Sequence, residues 1–378
     1  MTHKWIKLVG FMVVGFFASS TAVMAAAQVY GEVHFKTYYS YHSKEHTLVG
    51  DRPEVMAQWG YGAETHLGVN FKQGNITGKW EIAHIPDERN SFGIVRGGMV
   101  SQEAWGQWDF GSGQLLIGHT LPLTDYVVAE GLMLHDMGLQ NMGGTGYDTD
   151  TGRVSQIRLT YGNFSMALIT PFTKVDVLDN TDAVALSGVR AVVPKLEARY
   201  NWASQYVNIS AFGGIQVYEA TDSAPGGTST ISKSLMAWLV GLAGEVNYNA
   251  FTFRAGVNYR VNGANYGLVS DMRETAYLEG GSIKNTWAIG VVAAVGYRFS
   301  DRLYTEAGGS YIHTRSNLSS NTKDNGYALY ISNKYTLAPG VYVHPEVAFY
   351  DYGRTRFMGA SENMGRALYG GISWVIEF

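Results

Sequence analysis

The sequence predicts an all-β chain, a transmembrane antiparallel up-and-down β-barrel of sixteen strands. Three observations lead there. Apolar and polar residues alternate with period two along most of the chain, long and short connections follow each other in strict turn, and no stretch after residue 25 is an apolar run long enough for a membrane helix, about 20 residues. Gly (46) and Tyr (25) are abundant and Pro (8) is scarce, with no polar linker that would divide 378 residues into separate cores. A mean hydropathy of −0.08 excludes both a helical membrane protein and a disordered chain.

The first 25 residues have a different character. His3, Lys4 and Lys7 form a basic start, Leu8 to Ala18 an apolar run, and Val23-Met24-Ala25 a small-residue site. That is the layout of a secretory signal peptide, expected to be cleaved after Ala25 or Ala27 and to leave residues 26–378 as the barrel domain. Cysteine is absent, which excludes disulfides, thiolate metal sites and cysteine nucleophiles. A formal net charge of −4 gives no support to nucleic-acid binding.

Alternation opens at Val29 to Tyr41, where Val33, Phe35, Tyr39 and Tyr41 share one face and Glu32, His34 and Lys36 the other. It recurs in Ala63 to Lys72, with Leu67, Val69 and Phe71 against Glu64, His66 and Lys72, and after the Gln73-Gly74-Asn75 turn it places Lys79 and Glu81 on the polar side. Later strands repeat the division: Phe251, Phe253, Val257 and Tyr259 alternate with Thr252, Arg254, Asn258 and Arg260. Charges on the inner row exclude a dry core and fit a water-filled lumen.

Connections carry the topology. Long links are read at His42–Tyr61, Pro86–Gln102, Leu121–Gly152, after Thr170, Tyr218–Lys233, Gly263–Asn285, Thr314–Asn325 and Asp351–Asn363, with seven short turns between them. Eight long and seven short links make sixteen strands, with short turns on the periplasmic side and long loops outside. The third long link, Leu121–Gly152, is Gly-rich and carries Asp125, Glu130, Asp136, Asp148 and Asp150, while no Lys or Arg occurs between Arg96 and Arg153.

The final strand, Ala367 to Phe378, places Leu368, Ile372, Trp374 and Ile376 on one face and ends in Phe. Together with the opening Val29-Tyr30-Gly31 and the long third external loop, it resembles the Gram-negative general porins, which are sixteen-stranded trimeric outer-membrane barrels. The resemblance is one of pattern and covers the whole mature chain. It implies a homotrimer in outer-membrane lipid and lipopolysaccharide, with the third loop folded into the lumen. Acids on that loop would then face charges on the wall, for which Lys36, Lys79, Arg158, Glu64 and Glu81 are the candidates by inward parity.

The expected function is passive diffusion of small hydrophilic solutes and ions through a water-filled channel, with modest cation preference from the acidic surplus of the loop. A substrate-specific channel for sugars or carboxylates and a plugged-barrel adhesin or receptor are the alternatives. No enzyme activity and no cofactor are expected. The histidines are scattered without a nucleophile context, and Asp148-Thr149-Asp150 with Gly152 lacks the rest of a calcium loop.

Overall fold

The computed structural model describes residues 26–45, 52–62, 65–85, 98–126, 128, 152–172, 177–179, 184–186, 188–191, 193–221, 232–268, 274–318, 323–357 and 360–378. Twenty strand segments form one sheet. Four barrel strands are each built from two segments: Glu54–Tyr61 with His66–Gln73, Gly188–Arg190 with Lys195–Ala203, Val341–Asp351 with Arg354–Phe357, and Ala360–Asn363 with Arg366–Glu377. The sheet therefore contains sixteen barrel strands, all paired antiparallel.

Closure occurs where the first strand, Ala26–His42, meets the last, from Glu32 opposite Glu377 to His42 opposite Ala367. Gly31 and Phe378 complete the seam by exchanging backbone hydrogen bonds of 2.9 and 3.0 Å. A closed sheet satisfies its backbone polar groups internally, which is the condition for crossing hydrocarbon with strands. Short turns rely on residues that tolerate a left-handed backbone, with φ of 56° at Gly74, 53° at Gly162 and 54° at Asn249.

Burial is inverted relative to a water-soluble β-protein. Val33 is 38% exposed while the next residue, His34, is 0% exposed. On Phe251–Val261 the outward Phe253 and Val257 are open while the inward Asn258 and Arg260 are covered. Exposed aromatics gather in two bands, as in membrane-spanning barrels. Trp108, Tyr161, Phe164, Trp202, Tyr248 and Phe299 lie near the short turns; Tyr39, Tyr41, Trp59, Tyr61, Tyr311 and Tyr327 lie near the long loops.

Several long links are shorter than the sequence suggests. Glu54–Tyr61, read as part of the first loop, is strand and pairs from His42↔Glu54 to Phe35↔Tyr61. Its own alternation is present, since Val55, Trp59 and Tyr61 are exposed outward on the parity that Leu67 continues, but Gly60 and Gly62 on the other face make the stretch read as a link. The eighth loop likewise contains a hairpin, Arg354–Phe357 against Ala360–Asn363. Two loops meet in a four-stranded sheet of Val177–Asp179, Val184–Leu186, Tyr277–Glu279 and Ser282–Lys284, where Tyr277 pairs in parallel with Leu178 and Val177 and Leu186 pack with Tyr218 and Leu235 of the wall.

Candidate functional site

The inner face of the barrel concentrates charge, and one patch of it comes from the early strands. On Ile76–Ile85, Lys79 and Glu81 point inward from alternate positions, and Glu81 lies directly across from Glu103 on Gly98–Asp109. Lys79 Nζ bridges the two carboxylates, 3.0 Å from Glu81 and 3.3 Å from Glu103. Tyr30 donates to Glu81 at 2.6 Å, while Trp105 and Thr120 donate to Glu103 at 2.7 and 3.1 Å. Arg153 also approaches Glu103 at 3.7 Å, so two cations match the two carboxylates and the patch is balanced in charge.

A second patch holds the start of the acidic insertion. Gln156 Nε2 donates to the carbonyls of Thr120 and Leu121 at 3.0 and 2.9 Å, and Arg158 donates to the Leu121 carbonyl and to Gln156 Oε1. Three residues further on, the Thr124 amide donates to Glu197 at 3.0 Å, and Arg199 donates to the Asp125 carbonyl. Tyr126 then stacks on the wall residue Phe212 at 6.1 Å between centroids, with the Arg199 guanidinium within 5.7 Å of both rings. Val128 joins an apolar cluster on the inside of the barrel with Phe212, Leu239, Tyr330 and Tyr350. Residues 121–126 and 128 are thus fastened to the inner wall by charge-assisted and backbone hydrogen bonds and by ring stacking.

Glu197 joins three elements. Besides Thr124, it accepts from Tyr266 at 2.7 Å and pairs with Lys195 at 3.1 Å, and all four residues are almost completely buried. Tyr266 belongs to a helical turn, Gly263–Tyr266, in the sixth long loop, and Lys195 Nζ sits 4.1 Å from its ring centroid. Burial first, and then the Glu197 charge, holds the Tyr266 hydroxyl well above its usual pKa, so it remains a donor. The same loop is anchored by Arg260, which makes two 2.6 Å bonds to Glu274 with both side chains buried. A third charged group lies towards the short turns, where Arg254 pairs with Glu245 at 2.7 Å and with Glu306.

Among the residues expected from the sequence, Lys79 and Glu81 are in direct contact and Arg158 reaches the loop stem. Lys36 is buried on the inner face opposite Gly60 and Ser373, and Asp125 contributes a backbone carbonyl. Glu130, Asp136, Asp148, Asp150 and Glu64 lie outside the described residues. Glu103, Lys195, Tyr266 and Glu274 escape the sequence reading. Lys195 has a signal in principle, because Lys195, Glu197 and Arg199 share one strand face; the Tyr266–Glu197 contact joins residues 69 positions apart and has none.

No protein-family model matches the chain, and no curated protein sequence matches it. Solved structures do. The chain is similar to the outer membrane channel DcaP of Acinetobacter baumannii, at 16% identity and a TM-score of 0.68 over 96% of this chain and 99% of that one. It is similar to OmpT of Vibrio cholerae in its trimer form, at 16% identity and a TM-score of 0.57 over 94% and 100% of the two chains. It is also similar to an anion-selective porin from Comamonas acidovorans, at 12% identity and a TM-score of 0.58 over 94% and 100%. At such low identity the likeness concerns architecture, and that architecture is the closed sixteen-strand barrel of outer-membrane porins.

Proposed function

We propose that the chain is an outer-membrane porin. It would form a water-filled channel for passive diffusion of small hydrophilic solutes and ions, exported by way of residues 1–25, embedded in lipid and lipopolysaccharide, and assembled as a homotrimer. The observation that carries the reading is the polar, charged interior of a closed barrel whose outer face is apolar between two aromatic bands. Flow is limited where the third loop narrows the lumen, and the attachment of Leu121 to Tyr126 on the inner wall supports that course for the loop.

Charge at the constriction sets modest cation preference. Five acids and no Lys or Arg lie between Leu121 and Gly152, while on the wall Glu81 and Glu103 are offset by Lys79 and Arg153. Arg158 and Arg199 oppose this preference, and their donors are engaged by loop carbonyls. Reversal potential across a planar bilayer in a salt gradient tests the reading: a cation-selective value is expected, and clear anion selectivity overturns it. A chain that inserts but does not conduct overturns the channel itself.

A further inference from the structure

The strand pair Lys323–Ala338 and Val341–Asp351 holds a proline where a closed barrel has no edge to place one. The ladder runs from Tyr327↔Asp351 to Ser332↔Glu346 and resumes at Tyr335↔Val343, so pairing lapses at Asn333 and Lys334, opposite Pro345 and His344. Pro345 has no N–H to give, and proline in sheets is otherwise confined to edges, strand starts and bulges. A local rule broken inside a regular fold points to a functional site. Here the lapse lies behind a cavity of the inner wall, which Lys334 and His344 border.

That cavity measures about 200 Å³ and lies towards the short turns, with Glu32, Glu377, Tyr304 and Ser332 on its other sides. It has room for roughly six or seven waters at about 30 Å³ each. Glu306 also borders it, but its carboxylate is engaged by Arg254, Tyr304 and Tyr330. Two other charges differ. The Lys334 ammonium rests over the Tyr342 ring, 4.1 Å from the centroid, and Glu377 stands opposite Glu32 across the closing seam. Among the described residues neither Lys334 nor Glu377 takes part in an ion pair, although both border the same space. Like charges directly opposite each other destabilise a sheet, and a cation held between Glu32 and Glu377 removes that cost. Next to His344 on the ladder, the Ser373 hydroxyl is 0% exposed and has no hydrogen-bond partner among the described residues. A buried hydroxyl left without a partner is costly, so it marks a place where a polar group is received.

We propose that this cavity is a solute site for small zwitterions, molecules that carry an ammonium and a carboxylate a few bonds apart. The ammonium sits at Glu32 and Glu377, and the carboxylate sits at Lys334 on the side of Ser373. A lone cation at the carboxylates leaves Lys334 without a counter-charge and a lone anion leaves Glu377 so, whereas a zwitterion supplies both. Binding must stay weak enough for the solute to leave again, as any site along a conducting path requires. The inference rests on the channel reading above and names a solute class for it.

Single-channel recording in potassium chloride tests the site, with β-alanine as the zwitterion and propylammonium and propionate as its single-charge counterparts. β-Alanine is expected to lower the conductance saturably, and the other two to act far more weakly at the same concentration. Lys334→Met and Glu377→Gln should each raise the half-saturating concentration about tenfold, the loss of one charge-assisted contact. Equal effects of the three solutes, or variants that respond as the parent does, overturn the proposal. A heat-dependent shift in gel mobility verifies that each variant is folded, and Lys334→Met keeps the stem over Tyr342 and disturbs no ion pair. Saturation-transfer NMR of the β-alanine methylene protons, with the protein in detergent, reads binding without conduction. Conduction with no zwitterion-specific effect and no transfer removes the site and leaves the channel. Transfer that Lys334→Met abolishes, from a barrel that does not conduct, removes the channel and leaves the site.

Discussion

The Thr124 amide donates to Glu197 Oε2 at 3.0 Å, fixing the first turn of the acidic insertion to a strand 73 residues further along the chain. The other carboxylate oxygen holds Tyr266 and Lys195, so one buried group links two loops to the wall. Replacing Glu197 with Gln keeps acceptor and shape but leaves the Lys195 ammonium, 2% exposed, without its counter-charge. Removing one partner of a buried pair costs about 3–5 kcal/mol. The expected outcome is a lower denaturant midpoint together with noisier single-channel current, as the loop stem loosens. Unchanged noise would show that the Gln156, Arg158 and Arg199 contacts suffice to hold the stem.

Arg260 and Glu274 should behave as a coupled pair. Arg260→Met alone strands a buried carboxylate and is expected to destabilise the barrel by about 3–5 kcal/mol. Adding Glu274→Leu should recover most of that loss, because neither charge then remains uncovered. A double-mutant cycle in chemical unfolding measures the recovery. Additive losses would mean that the two residues do not depend on each other.

Lys79 is the cation between Glu81 and Glu103. Lys79→Met removes one positive charge and leaves two facing carboxylates on the inner wall, so the reversal potential should move further towards the cation limit. Replacement of Asp125, Glu130 and Asp136 with Asn should move it the other way. If the loop substitutions leave selectivity unchanged, those carboxylates lie outside the narrow zone.

Leu242 is 50% exposed on the outer face near the middle of Ser232–Tyr248. In a bilayer, Leu242→Arg should cost about 2–4 kcal/mol, the depth-dependent penalty for a charge on the lipid side of a barrel. Leu242→Val should be nearly silent. Unfolding in lipid vesicles reads both, and tolerance of the arginine would show that this face does not meet hydrocarbon.

Period two, the regular exchange of long and short links and the closing run to Phe378 were enough to determine a closed barrel of sixteen strands and the inward or outward face of residues on strands such as Phe251–Val261. Those signals are local, because alternation is a property of a single strand and turn residues specify their own hairpins. Glu54–Tyr61 marks the limit of this reading: its alternation is real, but Gly60 and Gly62 on its polar face disguised it as loop. The acidic composition of Leu121–Gly152 was also plain, whereas the partners of its stem were not. Tertiary structure alone decided that Glu197 would receive both Thr124 and Tyr266, that Lys79 would sit between Glu81 and Glu103, and that two loops would share a small sheet. Such contacts depend on barrel curvature, shear and loop paths, which bring together residues as far apart as 124 and 197. Neither spacing nor parity along one strand encodes that distance, so the identity of the inner face was legible and its pairing was not.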